Sequence, residues 1–258
     1  MTIRIGFDLP ADLPDPVAAA RRLEALGADF VSTSDHPIGP TPSYETWTLL
    51  TWVAASTARL GVVTRVLSVS LRNPVLLAKM AGTLDDLSGG RLVLGLGGGA
   101  GDDELRAAGI AVPTARQKVD GLAAAVRTMR REWTGQRPPE IWLGTFGPRA
   151  LRVTGELADG WIPSLGYAGA ENLPAMRETV LAAAKDAGRD PVAITCALNL
   201  TVHIGQAGGA GDPDVAGTAA EVTARLADLA GQGFTTLNLK ADQGEWERIA
   251  AEVLPALR

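Results

Sequence analysis

Short apolar runs recur along this chain, separated by helical patterns, and the alternation predicts eight strands at residues 4–9, 30–34, 60–67, 91–96, 141–144, 160–163, 193–204 and 236–240. Between them, apolar residues fall at helical spacing. Val17, Ala20, Leu23 and Leu26 mark a helix over 16–26, and Val222, Leu226 and Leu229 mark another over 218–230. The runs Leu92-Val93-Leu94 and Ile141-Trp142-Leu143 are apolar at successive positions. That is the pattern of parallel strands covered by helices outside and by a core inside. Eight such units predict an α/β fold, a parallel eight-stranded (β/α)8 TIM barrel; the rival is a doubly wound open sheet. No convincing boundary divides the chain, so residues 1–258 are expected to form a single domain.

The segment from Leu84 to Gly99 joins a helix to a strand to a loop without side chains. Ser88-Gly89-Gly90 suits a helix end, Arg91 to Leu96 reads as a buried strand, and Gly97, Gly98 and Gly99 let a ligand approach successive backbone N–H groups. Asp102 and Asp103 stand where the next helix would begin. The stretch 205–217 reads as a long glycine-rich loop after the seventh strand, either a lid over the site or a solvated linker.

Composition narrows the classes of function. A hydrophobic content of 46% over 258 residues supports a large core. One cysteine, Cys196, permits no internal disulfide, which suits a reducing cytoplasm. The net charge of -5 and the absence of a basic cluster beyond Arg130-Arg131 argue against nucleic acid as a partner. Met1 to Phe7 runs directly into a strand-like pattern, and no apolar stretch reaches membrane-spanning length. A cytoplasmic protein with a small-molecule substrate and no membrane partner is expected.

Several motifs carry a family resemblance. Arg72-Asn73-Pro74, Leu77-Ala78-Lys79, Thr83-Leu84-Asp85, Leu87-Ser88-Gly89-Gly90-Arg91 and Gly95-Leu96-Gly97-Gly98-Gly99, followed by Glu104, Gly109 and Arg116, resemble the signature of the bacterial luciferase-like superfamily. Two further blocks are similar to the same family: 141–151 with 158–163, and Ser34-Asp35-His36-Pro37. The resemblance implies a (β/α)8 oxidoreductase holding FMN or the deazaflavin coenzyme F420. The Gly147-Pro148-Arg149 element and the Asp35-His36 pair are most similar to the F420 branch; FMN-dependent monooxygenases are the alternative. It also implies that Gly97, Gly98, Gly99, Thr145, Phe146 and Gly147 hold the cofactor's phosphate and side chain. These glycines would otherwise simply make tight turns. Thr64, Arg65 and Val66 align with cofactor-facing positions where family members often carry a non-proline cis peptide. Arg65 would face the ring or substrate, or be an ion-paired barrel residue.

His36 is the candidate for proton chemistry, with Asp35 beside it at a strand's C-terminal end, where barrel enzymes place catalytic groups. Imidazole is the side chain that ordinarily changes protonation near neutral pH. The other reading is a histidine hydrogen-bonded in a turn before Pro37. His203, in an apolar strand, is expected to be a core or cofactor-adjacent residue without catalysis. Where sugar-phosphate dehydrogenase members carry a glutamate and a tryptophan, this chain has Ala100 and Pro40, which speaks against that activity. Asp85-Asp86 and Asp102-Asp103-Glu104 read as helix-end acids, and no metal site is expected. Lys240, ending the eighth strand, raises a Schiff-base aldolase as a rival, and a non-catalytic flavin-binding protein is another. A homodimer is expected; Trp47 and Trp52 on the second helix are expected to pack against the barrel, with a dimer contact as the other reading.

Overall fold

The computed structural model describes residues 3–36, 38, 42–99, 101–135, 137–206 and 214–258. Ten strands form along them: β1 (Arg4–Asp8), β2 (Phe30–Thr33), β3 (Gly61–Thr64), β4 (Leu67–Ser68), β5 (Leu92–Gly97), β6 (Glu140–Leu143), β7 (Gly160–Trp161), β8 (Thr195–Ile204), β9 (Val215–Gly217) and β10 (Thr236–Lys240). Eight of these close a ring in the order β1, β2, β3, β5, β6, β7, β8, β10, and every pairing is parallel. Closure lies at β10, whose Thr236 pairs with Arg4 on one side and Ala197 on the other. The fold is the expected (β/α)8 barrel, and the open-sheet rival is excluded by that closure.

Helices cover the outside: α1 (Pro16–Ala25), α2 (Thr46–Ser56), α3 (Pro74–Ser88), α4 (Asp102–Ala107), α5 (Ala115–Glu132), α6 (Pro148–Leu157), α7 (Leu165–Ala168), α8 (Leu173–Asp186), α9 (Ala219–Gly231) and a helical segment over 246–257. Their ends are written in the sequence. Asp15, Glu45 and Asn73 accept backbone N–H bonds as N-caps of α1, α2 and α3, while Thr114-Gln117 and Thr218-Glu221 form capping boxes on α5 and α9. Helix α3 stops at Gly89, whose φ of 74° lies in the left-handed region that glycine adopts without cost.

The expected third strand is interrupted. Its regular part ends at Thr64, the Arg65–Val66 peptide is cis, and β4 resumes by pairing Leu67 with Leu96 of β5. Glycines on β5 make this path possible. A Cβ on Gly95 would lie 1.9 Å from the Thr64 carbonyl oxygen, and one on Gly97 would lie 2.8 Å from a Val66 methyl. The expected loop over 205–217 is corrected at its end, because 215–217 form β9 alongside the last residues of β8. Its residues 207–213 lie outside the described residues, as do Pro37, Pro40 and Ala100.

Inside the ring, Phe30, Val63, Val93, Trp142, Ile162 and Ala197 make a separate apolar cluster. Phe30 and Trp142 meet edge to face with centroids 6.4 Å apart, and the Arg4 guanidinium stacks 5.9 Å from each ring. Burying each large apolar side chain contributes about 1.5–3 kcal/mol. Gly6 is required here, since a Cβ would come within 2.1 Å of the Phe30 ring. The larger outer cluster packs strands against helices and includes Cys196, whose thiol burial pushes upward in pKa. Among the described residues, no helix is long and apolar enough to cross a membrane.

Candidate functional site

A cavity of about 640 Å³ opens at the C-terminal ends of the strands. Its volume is in the range of small-molecule and cofactor sites. Strand β2 leads into Ser34, Asp35 and His36; β5 contributes Gly97, Gly98 and Gly99; Gly144 and Phe146 follow β6; Asn199 lies on β8 and Lys240 ends β10. Arg65, Val66 and Ser68 form another part of the wall. Val66 packs against Gly97 and Gly144, where an added Cβ would lie 2.8 and 3.2 Å from its methyls. The missing side chains on β5 and after β6 therefore leave room for Val66.

Most of the expected site residues meet here. His36, Asp35, Arg65, Val66, Gly97, Gly98, Gly99 and Phe146 all line the cavity. Thr64 and Thr145 do not, because both are buried with their hydroxyls already engaged: Thr64 Oγ1 donates to the Gly95 carbonyl at 2.7 Å, and Thr145 Oγ1 lies 2.7 Å from Thr154 Oγ1. Gly147 lines an adjoining hollow of about 730 Å³ with Arg116, Pro148 and Arg149. It opens helix α6 without a side-chain cap. N–H groups of such a first turn can receive an anion.

His36 is half exposed, and its Nδ1 lies 2.7 Å from Glu104 Oε1. Asp35 faces elsewhere. Its carboxylate is fully buried, takes two hydrogen bonds from the Arg72 guanidinium at 2.6 and 2.8 Å, and accepts the Ser68 N–H at 2.9 Å. Arg72 also binds Glu45 at 2.8 Å. Burial alone would weaken the Arg72 charge, but Asp35 and then Glu45 outweigh it and raise its pKa above the ordinary value. Burial likewise pushes Glu45 upward, while N–H bonds from Thr48 and Trp47 and the Arg72 contact bring its pKa below the ordinary range. This network fixes the backbone on both sides of His36 and Ser68.

Arg65 donates to Asp8 Oδ1 at 2.6 Å, so it is ion-paired and also borders the cavity. Two buried wall atoms, Arg65 Nε and Ser68 Oγ, lack a hydrogen-bond partner among the described residues. Buried polar atoms are ordinarily satisfied, so such a pair beside a cavity fits a ligand that supplies acceptors. Opposite them, Ser32 Oγ donates to Asn238, whose amide donates to Asn199 Oδ1, and Asn199 in turn reaches Ser164 Oγ. Sequence reasoning missed the roles of Glu104, Arg72 and Asp8 as partners of site residues. Glu104 and Arg72 stood in the family-like motifs, but nothing in their spacing revealed whom they would meet.

Comparison with known proteins bears on this geometry. The profile described as luciferase-like monooxygenase matches residues 6–208. A phthiodiolone/phenolphthiodiolone dimycocerosates ketoreductase from Mycobacterium tuberculosis (strain ATCC 25618 / H37Rv) is 33% identical over 220 residues, covering 74% of this chain and 54% of the relative. An F420-dependent glucose-6-phosphate dehydrogenase from Kineococcus radiotolerans is 30% identical over 222 residues, covering 72% of this chain and 65% of the relative. The chain thus spans between about half and two thirds of the length of these relatives. Among solved structures, an F420-dependent secondary alcohol dehydrogenase in complex with an F420-acetone adduct shares the fold with a TM-score of 0.85 at 19% identity, with both chains covered completely. EDTA monooxygenase from Chelativorans sp. BNC1 shares it with the same TM-score of 0.85 at 14% identity, covering 100% of this chain and 93% of that one. The closed parallel barrel and the match over 6–208 together place this chain in the luciferase-like monooxygenase family.

Proposed function

We propose that this chain is an oxidoreductase that binds coenzyme F420 in the rim cavity and acts on a small organic substrate. The observation that carries the reading is the cavity wall itself: the bare backbone of Gly97, Gly98 and Gly99 beside Arg65 Nε and Ser68 Oγ, two buried donors awaiting acceptors. When bound, the deazaflavin supplies or accepts hydride, and the protein contributes position and electrostatics. Gly97 to Gly99, Phe146 and Val66 enclose the ring, and the uncapped start of α6 at Gly147 receives the phosphate. Thr64 and Thr145 contribute through packing beneath the wall.

His36 moves the proton that accompanies hydride transfer. Glu104 holds Nδ1, which orients the ring and leaves Nε2 to exchange a proton with the substrate. Asp35 acts through position, since its carboxylate is committed to Arg72 and Ser68. The preference for F420 over FMN rests on the Asp35-His36 and Gly147-Pro148-Arg149 elements and on the F420-dependent relative at 30% identity. Lys240 also lines the cavity, so an aldolase remains a second reading. Residues 1–258 form one domain in this proposal. Cytoplasmic residence is part of the same proposal, supported by a single cysteine that suits a reducing compartment, and a homodimer would cover the exposed Trp52 on α2 and Leu76 on α3.

Fluorescence titration with F420 and, separately, with FMN tests the reading. F420 is expected to bind at micromolar concentration or tighter, and FMN more weakly. His36→Ala should keep F420 affinity within a few fold while turnover falls about 10²–10⁴-fold. Failure of both cofactors to bind would overturn the proposal, and trapping of a carbonyl substrate on Lys240 by borohydride would favour the aldolase.

A further inference from the structure

A second polar cluster sits on the rim between the seventh and eighth barrel strands, apart from the cavity. His203 lies near the end of β8, and Asp242 and Glu245 follow β10. One ligand-type atom from each lies within 4.8 Å of the others, and none of the three residues lines the cavity. Glu245 is held in place by the Ile204 N–H, which donates to Oε1 at 2.7 Å. Its other oxygen, Oε2, faces His203 Nδ1 at 3.6 Å. Both of those atoms are buried and lack a hydrogen-bond partner among the described residues.

Charge points the same way. The far nitrogen of the ring, Nε2, lies 3.9 Å from Asp214 Oδ2, so three carboxylates surround one imidazole. Arg248 stands near Glu245, but its guanidinium hydrogen-bonds Glu252 at 3.0 Å and the Ile204 carbonyl at 3.4 Å. Imidazole and carboxylate groups that face one another without a hydrogen bond between them are donor types a metal cation can bring together.

We propose that His203, Asp242 and Glu245 bind one divalent transition-metal ion, through the imidazole Nδ1 and one oxygen of each carboxylate. A mixed imidazole and carboxylate set suits Zn²⁺ or Mn²⁺, whereas sites for Mg²⁺ and Ca²⁺ are built from oxygen alone. Asp214 stands behind Nε2 in the position of the outer carboxylate that fixes the tautomer of a metal-bound histidine. The ion would tie the end of β8 to the segment leaving β10. This inference is independent of the cofactor reading, because no residue is shared between the two sites.

The test uses full-length protein stripped with a chelator and carrying His36→Ala, which removes the only other histidine of the chain. Calorimetric titration with Zn²⁺ and, separately, Mn²⁺ is expected to show one equivalent bound at micromolar concentration or tighter for at least one ion. Saturation with that ion should raise the melting temperature by several degrees. Asp242→Asn, an exposed and nearly isosteric change, and Glu245→Gln should each weaken binding at least tenfold, with circular dichroism unchanged. Asp214→Asn should weaken it less. If neither ion binds saturably, or if Asp242→Asn and Glu245→Gln leave affinity unchanged, the proposal fails. His203 would then be an imidazole shared between carboxylates.

Discussion

The two sides of the barrel mouth are held in different ways. Where β2 through β4 end, charge does the holding: Asp35 with Arg72, Arg72 with Glu45, and Arg65 with Asp8. Across the barrel interior from β2 to β10 and β8, neutral groups do it, through the chain from Ser32 to Asn238 to Asn199 to Ser164. The ionic side fixes two backbone segments at once, since Asp35 accepts the Ser68 N–H while Arg72 reaches the cap of α2. The neutral side can be buried at lower desolvation cost, because amides and hydroxyls leave water more cheaply than ions. Rigidity near His36 thus rests on a contact whose partners are mutually dependent, and the opposite wall rests on weaker, more separable bonds.

That contrast is open to direct challenge. Arg72→Met leaves the fully buried Asp35 carboxylate with only the Ser68 N–H, and urea unfolding should show a loss of about 3–5 kcal/mol. A loss below about 1 kcal/mol would mean that the ionic side is no stiffer than the other. Asn238→Ala strands Ser32 and Asn199, and the same measurement should give about 1–3 kcal/mol. Glu45→Gln keeps the cap of α2 through its amide oxygen but removes the negative charge that faces Arg72. At this partly exposed position screening limits the cost to about 0.5 kcal/mol at neutral pH.

Acid separates the two sides further. The pKa of Glu45 is lowered in the folded protein, so its charge contributes stability fully above the unfolded value and loses that contribution as the pH falls through the folded value. The gap between the parent and Glu45→Gln should therefore close below about pH 4. For Asn238→Ala the gap should stay constant over the same range, since none of its partners titrates there. Parallel curves for both variants would contradict the division into a charged and a neutral side.

Much of the barrel was legible because parallel strands buried on both faces read as continuous apolar runs, and caps such as Asp15, Asn73 and Thr218 mark where helices start. Gly97, Gly98 and Gly99 pointed to the cavity because they line it with backbone alone, although the positions their side chains would take are filled by Val66, Lys118 and Ser68. Pairings across the fold were hidden. His36 and Glu104 are 68 residues apart, and the engagement of Thr145 with Thr154 depends on how α6 seats against the end of β6. Of the two readings of Arg65, the structure shows the ion pair, with one nitrogen on Asp8, and it leaves another nitrogen unpartnered beside the cavity. His203 reads as a core or cofactor-adjacent residue because its strand is apolar. In a strand, neighbours point to opposite faces, and its own face meets Glu245 and Asp214.

The aromatic plug of Phe30 and Trp142, topped by Arg4, makes the barrel a blind tube. Whatever reaches the cavity floor must arrive and depart through one doorway, the mouth at the C-terminal ends of the strands.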